Sequence, residues 1–255
     1  MSASSRGRVI PLSPARRMVN ELLHHGRRVP SVPLARDCCI GALADARRRA
    51  GTGVSWIAVF MKAYGLVAQR HPVLRRAYIP YPYARLYEHP HSTCTVLIER
   101  QWEGEPVVLG AKVLAPETTP LALIDAHLRR FREDDVLSIS PFRQVLRLGR
   151  LPLPVRRFAF WSSLNFSGYK RAKRFGTFMI SSLGAHGVDQ LHPIAPVTTY
   201  LTFGPIRDDG RVTARVIYDH RAMDGGHVAR ALVDLERVLN TTLADEVSEP
   251  RARAA

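Results

Sequence analysis

This chain is predicted to adopt an α/β fold, from three features of its residue pattern. Runs of alternating or β-branched residues (31–40, 92–100, 106–113, 211–218) interleave with runs whose apolar residues recur at intervals of three and four. The stretch 55–69 is apolar on nearly every side, through Trp56, Ile57, Val59, Phe60, Met61, Tyr64 and Val67, as a helix buried against a sheet must be. Around residue 220 a strand pattern passes into a helix pattern through one tight turn. With 255 residues, 46% of them hydrophobic, the chain can bury a sizeable core, and one domain over 9–245 is expected.

In chain order, residues 1–8 carry charge and no apolar core, which reads as a flexible basic arm and not a signal peptide. Ser13 suits an N-cap and Pro14 the first helical position, and Met18, Val19, Leu22 and Leu23 then mark one face of a helix ending near Gly26. A strand over 31–40 and a short polar helix over 41–50 follow. The apolar helix stops at His71-Pro72, because proline cannot continue it. Two or three strands come next, of which 92–100 and 106–113 are placed by alternation and β-branching. Leu121, Ile124, Leu128 and Phe131, at intervals of three, four and three, mark another helix. After a basic, aromatic segment at about 136–175 come a strand over 176–184, a β-rich run up to Gly204 and a turn at Asp208-Asp209-Gly210. The final helix, 226–239, carries Val228, Leu232, Leu235 and Leu239 on one stripe. Residues 246–255 read as a disordered tail.

Composition excludes several classes. Cys38, Cys39 and Cys94 show no C-x-x-C spacing and are odd in number, so neither a disulfide framework nor a zinc site is indicated. They read as small buried hydrophobes in a reducing, cytoplasmic setting. The longest apolar stretch, 54–68, contains Lys62 and falls short of a membrane span. Thirty-seven Lys and Arg against 22 Asp and Glu give a net charge of +15. Between Pro141 and Phe175 there are nine cations and no carboxylate, so this segment should face an anion: the phosphates of coenzyme A, an acidic protein, anionic lipid or nucleic acid.

The turn Asp219-His220-Arg221-Ala222-Met223-Asp224-Gly225 concentrates the chemistry. A strand-to-helix turn is rigid at both ends and suits an imidazole that must stay at a fixed distance from a reacting atom. The structural alternative is a packing histidine with Asp224 as an N-cap. His220-x-x-x-Asp224-Gly225 resembles the active-site motif shared by chloramphenicol acetyltransferase and the catalytic domains of dihydrolipoyl acyltransferases, the core subunits of 2-oxo acid dehydrogenase complexes. Asp219-His220-Arg221 brings it nearer the second branch. Three further phrases are similar to that family in the same order. They are Pro11-Leu12-Ser13 with Arg16, His71-Pro72-Val73-Leu74, and the strand Gly176-Thr177-Phe178-Met179-Ile180-Ser181-Ser182-Leu183-Gly184, where Met179 replaces the usual threonine. The likeness spans 9–135 and 176–240 and lapses over the basic segment.

The resemblance implies a chloramphenicol acetyltransferase-like two-layer sandwich of mixed β-sheet and helices. It further implies a homotrimer that can build cubic or dodecahedral cores, with His220 of one chain meeting Ser181 of its neighbour. The implied activity moves an acyl group between a coenzyme A thioester and a thiol acceptor, without a metal. A neutral imidazole can make a thiolate near neutral pH and return the proton, which assigns the general base to His220. A hydroxyl aimed at the developing oxyanion assigns Ser181. By the same resemblance Asp224 pairs with Arg16, or with Arg17, in a buried ion pair that braces the turn, supported by Asp219, Arg221 and Gly225. Arg171, Lys173 and Arg174 become candidates for coenzyme A phosphates. His186 and His227 read as surface or packing residues. No lipoyl or peripheral-subunit-binding domain is visible, so a lipoylated protein or dehydrogenase subunits would be separate partners. The competing class is a catalytically silent scaffold that builds an oligomeric core or binds partners, membrane or nucleic acid through the basic segment.

Overall fold

The computed structural model describes residues 7–51 and 53–248. Helix α1 (Pro14–Gly26) begins as its sequence dictates: Ser13 Oγ accepts from the Arg16 amide at 3.2 Å and Pro14 occupies the first turn. Strand β1 (Ser31–Cys39) and helix α2 (Gly41–Ala50) lead to α3 (Trp56–Arg70), capped by Ser55. A small antiparallel pair, β2 (Arg76–Ile79) and β3 (Arg85–Glu88), forms a sheet of its own. The long hairpin β4 (Thr93–Trp102) and β5 (Glu105–Leu114) turns at Glu103 and Gly104, both at positive φ. Helix α4 (Leu121–Glu133) follows. The basic segment then folds into three helices, α5 (Ser140–Arg150), α6 (Leu153–Asn165) and α7 (Gly168–Phe175). Strands β6 (Phe178–Ser181), β7 (Thr199–Phe203) and β8 (Arg211–Asp219) and helices α8 (Gly225–Asn240) and α9 (Thr242–Ser248) complete the chain.

The main sheet has the order β1-β8-β7-β6-β4-β5 and is mixed, with β6 parallel to both β4 and β7. Alternation sends Val96, Ile98, Leu109, Ala111, Phe178 and Ile180 to one face, where they form the principal core with α3, α4 and α8. That is the expected sandwich of sheet on helices. The opposite face presents Met179, Tyr200 and Ile217, packed against Met18 of α1 and against Phe160, Leu164 and Phe175 of α6 and α7. Helix α5 lies against α1 and the β5 edge, and α1 approaches it so closely that a Cβ at Gly149 would lie 2.2 Å from the Pro14 carbonyl oxygen.

A buried charge cluster clips α1 to α6. Glu21 accepts from Arg156 Nε at 3.3 Å and from Arg157 Nε at 2.8 Å, with only 1% of its side chain exposed. Two expectations need correction. The tail beyond residue 245 continues as helix through Ser248, because Ala244 and Val247 are buried and Glu246 holds Lys62 at 2.5 Å; residues 249–255 and the first six of the basic arm lie outside the described residues. Cys39 is exposed, whereas Cys38 and Cys94 are buried as expected, and burial pushes the Cys38 thiol up to about 12. Among the described residues no helix is long and apolar enough to cross a membrane.

Removing the Glu21 carboxylate by Glu21→Ala leaves Arg156 buried without its anion, and chemical denaturation should show a loss of about 3–5 kcal/mol. His25 stacks on Phe160 with ring centroids 5.7 Å apart, and burial, then the neighbouring His24, pushes its pKa down to about 4. Because that value lies below the unfolded one of 6.5, the unfolded chain takes the proton first. The stability contribution is therefore complete above pH 6.5 and is lost as the pH falls toward 4. Melting curves of His25→Phe should show a shallower fall in Tm across that window than the parent.

Candidate active site

His220 stands at the end of β8. Its amide donates to the Pro30 carbonyl at 3.1 Å, and that of Asp219 donates to Thr198 at 2.9 Å, so the turn is sewn to the chain on both sides. The imidazole is half exposed, its Nδ1 lies 3.5 Å from Asp224 Oδ1, and its ring leans on Tyr218 with centroids 5.7 Å apart. Asp224 occupies the N-cap position of α8 without bonding its side chain to the helix, so the capping alternative does not apply. Gly225 is closely packed: a Cβ there would meet the Tyr218 hydroxyl at 3.1 Å.

The brace of this turn differs from the expected one. Within one chain Arg16 does not pair with Asp224, and Arg17 makes no ion pair with it either; among the described residues the ion-pair contact of Asp224 is to His220. Arg16 sits at the start of α1 and lines a cleft on the β5 side of the molecule, whereas Asp224 starts α8 beyond β8. Asp219 takes the bracing role. Its buried carboxylate receives Arg221 in a fork, Nε at 2.9 Å and Nη2 at 2.7 Å, and also the Arg221 amide at 3.1 Å. The Arg221 guanidinium lies over the Tyr78 ring at 4.8 Å. Arg171, placed by α7, is buried behind it and donates to the carbonyls of Tyr78 at 3.1 Å and Pro196 at 3.2 Å. Burial lowers the Arg171 pKa to about 10, against the favourable charge of Asp219.

The expected phosphate contact at Arg171 is thereby overturned. At 5% exposure, with its guanidinium turned to buried carbonyls, Arg171 does not face an external phosphate. Arg174 bonds Ser163 Oγ and the Ala159 carbonyl, and Lys173 is exposed. With Arg156 and Arg157 on Glu21, Arg143 on the Leu137 carbonyl and Arg150 3.9 Å from Glu103, six of the nine cations of the segment are tied to groups of this chain. His186 and His227 are exposed, as expected.

Ser181 ends β6 within a chain of hydroxyls: Tyr200 donates to Ser181 Oγ at 3.0 Å, and Ser181 donates to Gln190 Oε1 at 2.6 Å. Burial raises the Tyr200 pKa to about 12, so it is a donor at neutral pH. Neither Tyr200 nor Gln190 was found by sequence reasoning; no local spacing marks them, and only pairing of β6 with β7 brings Tyr200 beside Ser181. Both line a cleft of about 820 Å³ bounded by α1, α5, α6 and the free half of the sheet.

One chain does not bring the histidine and the serine together. Ser181 pairs with Thr202, which pairs with Arg215, and His220 lies five residues further along and two strands away. At ~3.4 Å per residue and ~4.8 Å per strand that separation is roughly 20 Å.

No protein-family model matches the sequence, and no curated protein matches it significantly. The fold, however, has solved counterparts. Dihydrolipoamide acetyltransferase of Azotobacter vinelandii superposes with a TM-score of 0.66 at 17% identity over 94% of both chains. A probable dihydrolipoamide acetyltransferase of Listeria monocytogenes gives 0.65 at 16% identity over 99% of both. The cubic core of a pyruvate dehydrogenase multienzyme complex gives 0.64 at 16% identity over 94% of both. The chain therefore has the fold of dihydrolipoamide acetyltransferase cores, as its sequence motifs imply.

Asp219→Asn should be the most damaging conservative change near the turn, since it leaves Arg171 buried without a nearby anion. Urea unfolding should register a loss of about 3–5 kcal/mol, with the far-ultraviolet spectrum of the folded protein unchanged.

Proposed function

We propose that the protein is a coenzyme A-dependent acyltransferase that moves an acyl group between a coenzyme A thioester and a thiol acceptor of the dihydrolipoyl type. The observation that carries this reading is the half-exposed His220 imidazole held on a doubly anchored turn, in a chain with the fold of acyltransferase cores. In the Azotobacter protein the residues probed for a role in catalysis are a serine, a histidine and an asparagine four positions after the histidine. Here Asp224 stands four positions after His220, and Ser181 precedes both.

In this reading Asp224 favours the tautomer with its proton on Nδ1, leaving Nε2 free to take the proton of the attacking thiol. The thiolate adds to the thioester carbonyl. The Ser181 hydroxyl turns from Gln190 to the oxyanion, its oxygen still polarised by the Tyr200 hydroxyl. Collapse expels the second thiolate, which recovers the proton from the imidazolium. Since the two groups lie roughly 20 Å apart within a chain, the site is completed by a second copy: His220 of one protomer faces Ser181 of another. The homotrimer implied by the sequence resemblance would supply that copy, and the cubic core among the structural counterparts supports a larger assembly. A silent scaffold would have no use for this turn or for the Tyr200–Ser181–Gln190 chain.

Acyl exchange between acyl-CoA and dihydrolipoamide should disappear in His220→Ala with Tm unchanged, and kcat should fall by about 10²–10³ in Ser181→Ala. Co-expressing the two variants in one assembly should restore part of the activity, because some interfaces then hold both an intact histidine and an intact serine. Absence of exchange by the parent with a panel of acyl-CoAs would refute the enzyme, and absence of complementation would refute the shared site.

A further inference from the structure

The cleft beside Ser181 is much larger than an acetyl group requires. Its volume, about 820 Å³, lies within the range of roughly 300–1,000 Å³ that holds a whole drug-sized ligand. Its floor is set by strand register. Lys112, Thr95, Met179 and Tyr200 form one transverse row across β5, β4, β6 and β7. In the next row Gly110 pairs with Leu97, and Leu97, which follows the Val96–Ile180 pair, stands level with Ser181. A path from the serine toward the β5 edge thus crosses Leu97 and then a residue with no side chain, a distance of two strand spacings or roughly 10 Å.

The roof belongs to the segment where the sequence resemblance lapses. Val145 and Leu148 of α5 and Ala159 and Phe160 of α6 close the cleft over that floor, opposite Met18, Val19 and Leu22 of α1. These surfaces are apolar, and the smallest of them, Ala159, faces the same space as Gly110. The cleft also holds three cations, Arg16, Lys112 and Arg174, and the carboxylate of Glu105. Arg174 is held by Ser163 and the Ala159 carbonyl. Lys112 lies in the other row, where burial, then Arg174 and Lys173, lowers its pKa. The serine is linked to the cleft through Tyr200 and Gln190, which are both bonded to Ser181 and form part of the wall.

We propose that this cleft is an acyl-chain slot: with the thioester carbonyl at Ser181, a long apolar acyl chain runs over Leu97 and Gly110 beneath α5 and α6, making the protein selective for acyl groups much larger than acetyl. This rests on the acyltransferase reading for its chemistry but not for its binding, so the two can be tested apart.

Binding is measured first, by calorimetry with non-reactive S-alkyl-CoA thioethers carrying ethyl, octyl and dodecyl chains. Affinity of the parent should rise at least tenfold from ethyl to dodecyl. Gly110→Leu and Ala159→Phe, which fill the slot from floor and roof, should abolish that rise while leaving the ethyl affinity unchanged. Two independent plugs guard against one failing to fold, which thermal melting reports. Turnover is measured second, with acetyl-, octanoyl- and dodecanoyl-CoA: the parent should prefer the long chains and the plugged variants the short one. Equal affinity for all three thioethers, or a chain-length dependence untouched by both plugs, overturns the slot, as would a slot filled by a neighbouring protomer, which gives the first of these results. Chain-length-dependent binding with no turnover of any thioester keeps the slot and removes the enzyme.

Discussion

The buried carboxylate of Asp219 is the constraint on which the site depends. A carboxylate with 1% exposure is tolerable only if its lone pairs are satisfied and a cation lies close. Both conditions are met by the Arg221 fork, with Arg171 as a second buried cation behind it. Satisfying those two guanidiniums in turn fixes Tyr78, Leu164 and Pro196, which belong to the small hairpin, α6 and the loop before β7. The turn that presents His220 is therefore held by four separate segments, and the imidazole can remain half exposed without being loose. Of the cations of the inserted helices Arg171 serves this purpose, and Arg156 and Arg157 serve Glu21, roles that net charge alone could not reveal.

The two faces of the sheet divide the labour. The face under α3, α4 and α8 is continuous apolar packing and supplies the stability of the fold. The other face is only partly covered, by α1 and the inserted helices, and the uncovered part is where Tyr200 and Gln190, both bonded to Ser181, line a cleft. Antiparallel pairing of β7 with β8 sends Ser181 and His220 to opposite ends of this sheet. In the proposed mechanism these two residues act together, and their separation within one subunit is the geometric reason that reading calls for an assembly.

Much of the architecture was legible before any coordinates. Ser13, Ser55 and Pro72 set helix boundaries by backbone chemistry that is local, and Leu121, Ile124 and Leu128 mark a face by periodicity alone. The β2–β3 pair was not placed, because its strands are four residues each and half exposed, with too little alternation to register. The last residues of α9, 246–248, were read as tail because the buried residues of this helix, Leu243, Ala244 and Val247, are few and its partners lie on α2, distant in sequence.

By itself the sequence determined the fold class, most element boundaries and the turn that carries His220, because caps, periodicity and a short motif are properties of neighbouring residues. Tertiary structure alone decided which arginine serves which carboxylate. Arg16 and Asp224 were plausible partners by order along the chain, but the sheet places them in different parts of the molecule, and Asp219 is braced by Arg221 and Arg171 instead. It also decided the hydroxyl chain through Tyr200 and the slot over Gly110, since both arise from strand register, which joins residues that no local pattern connects.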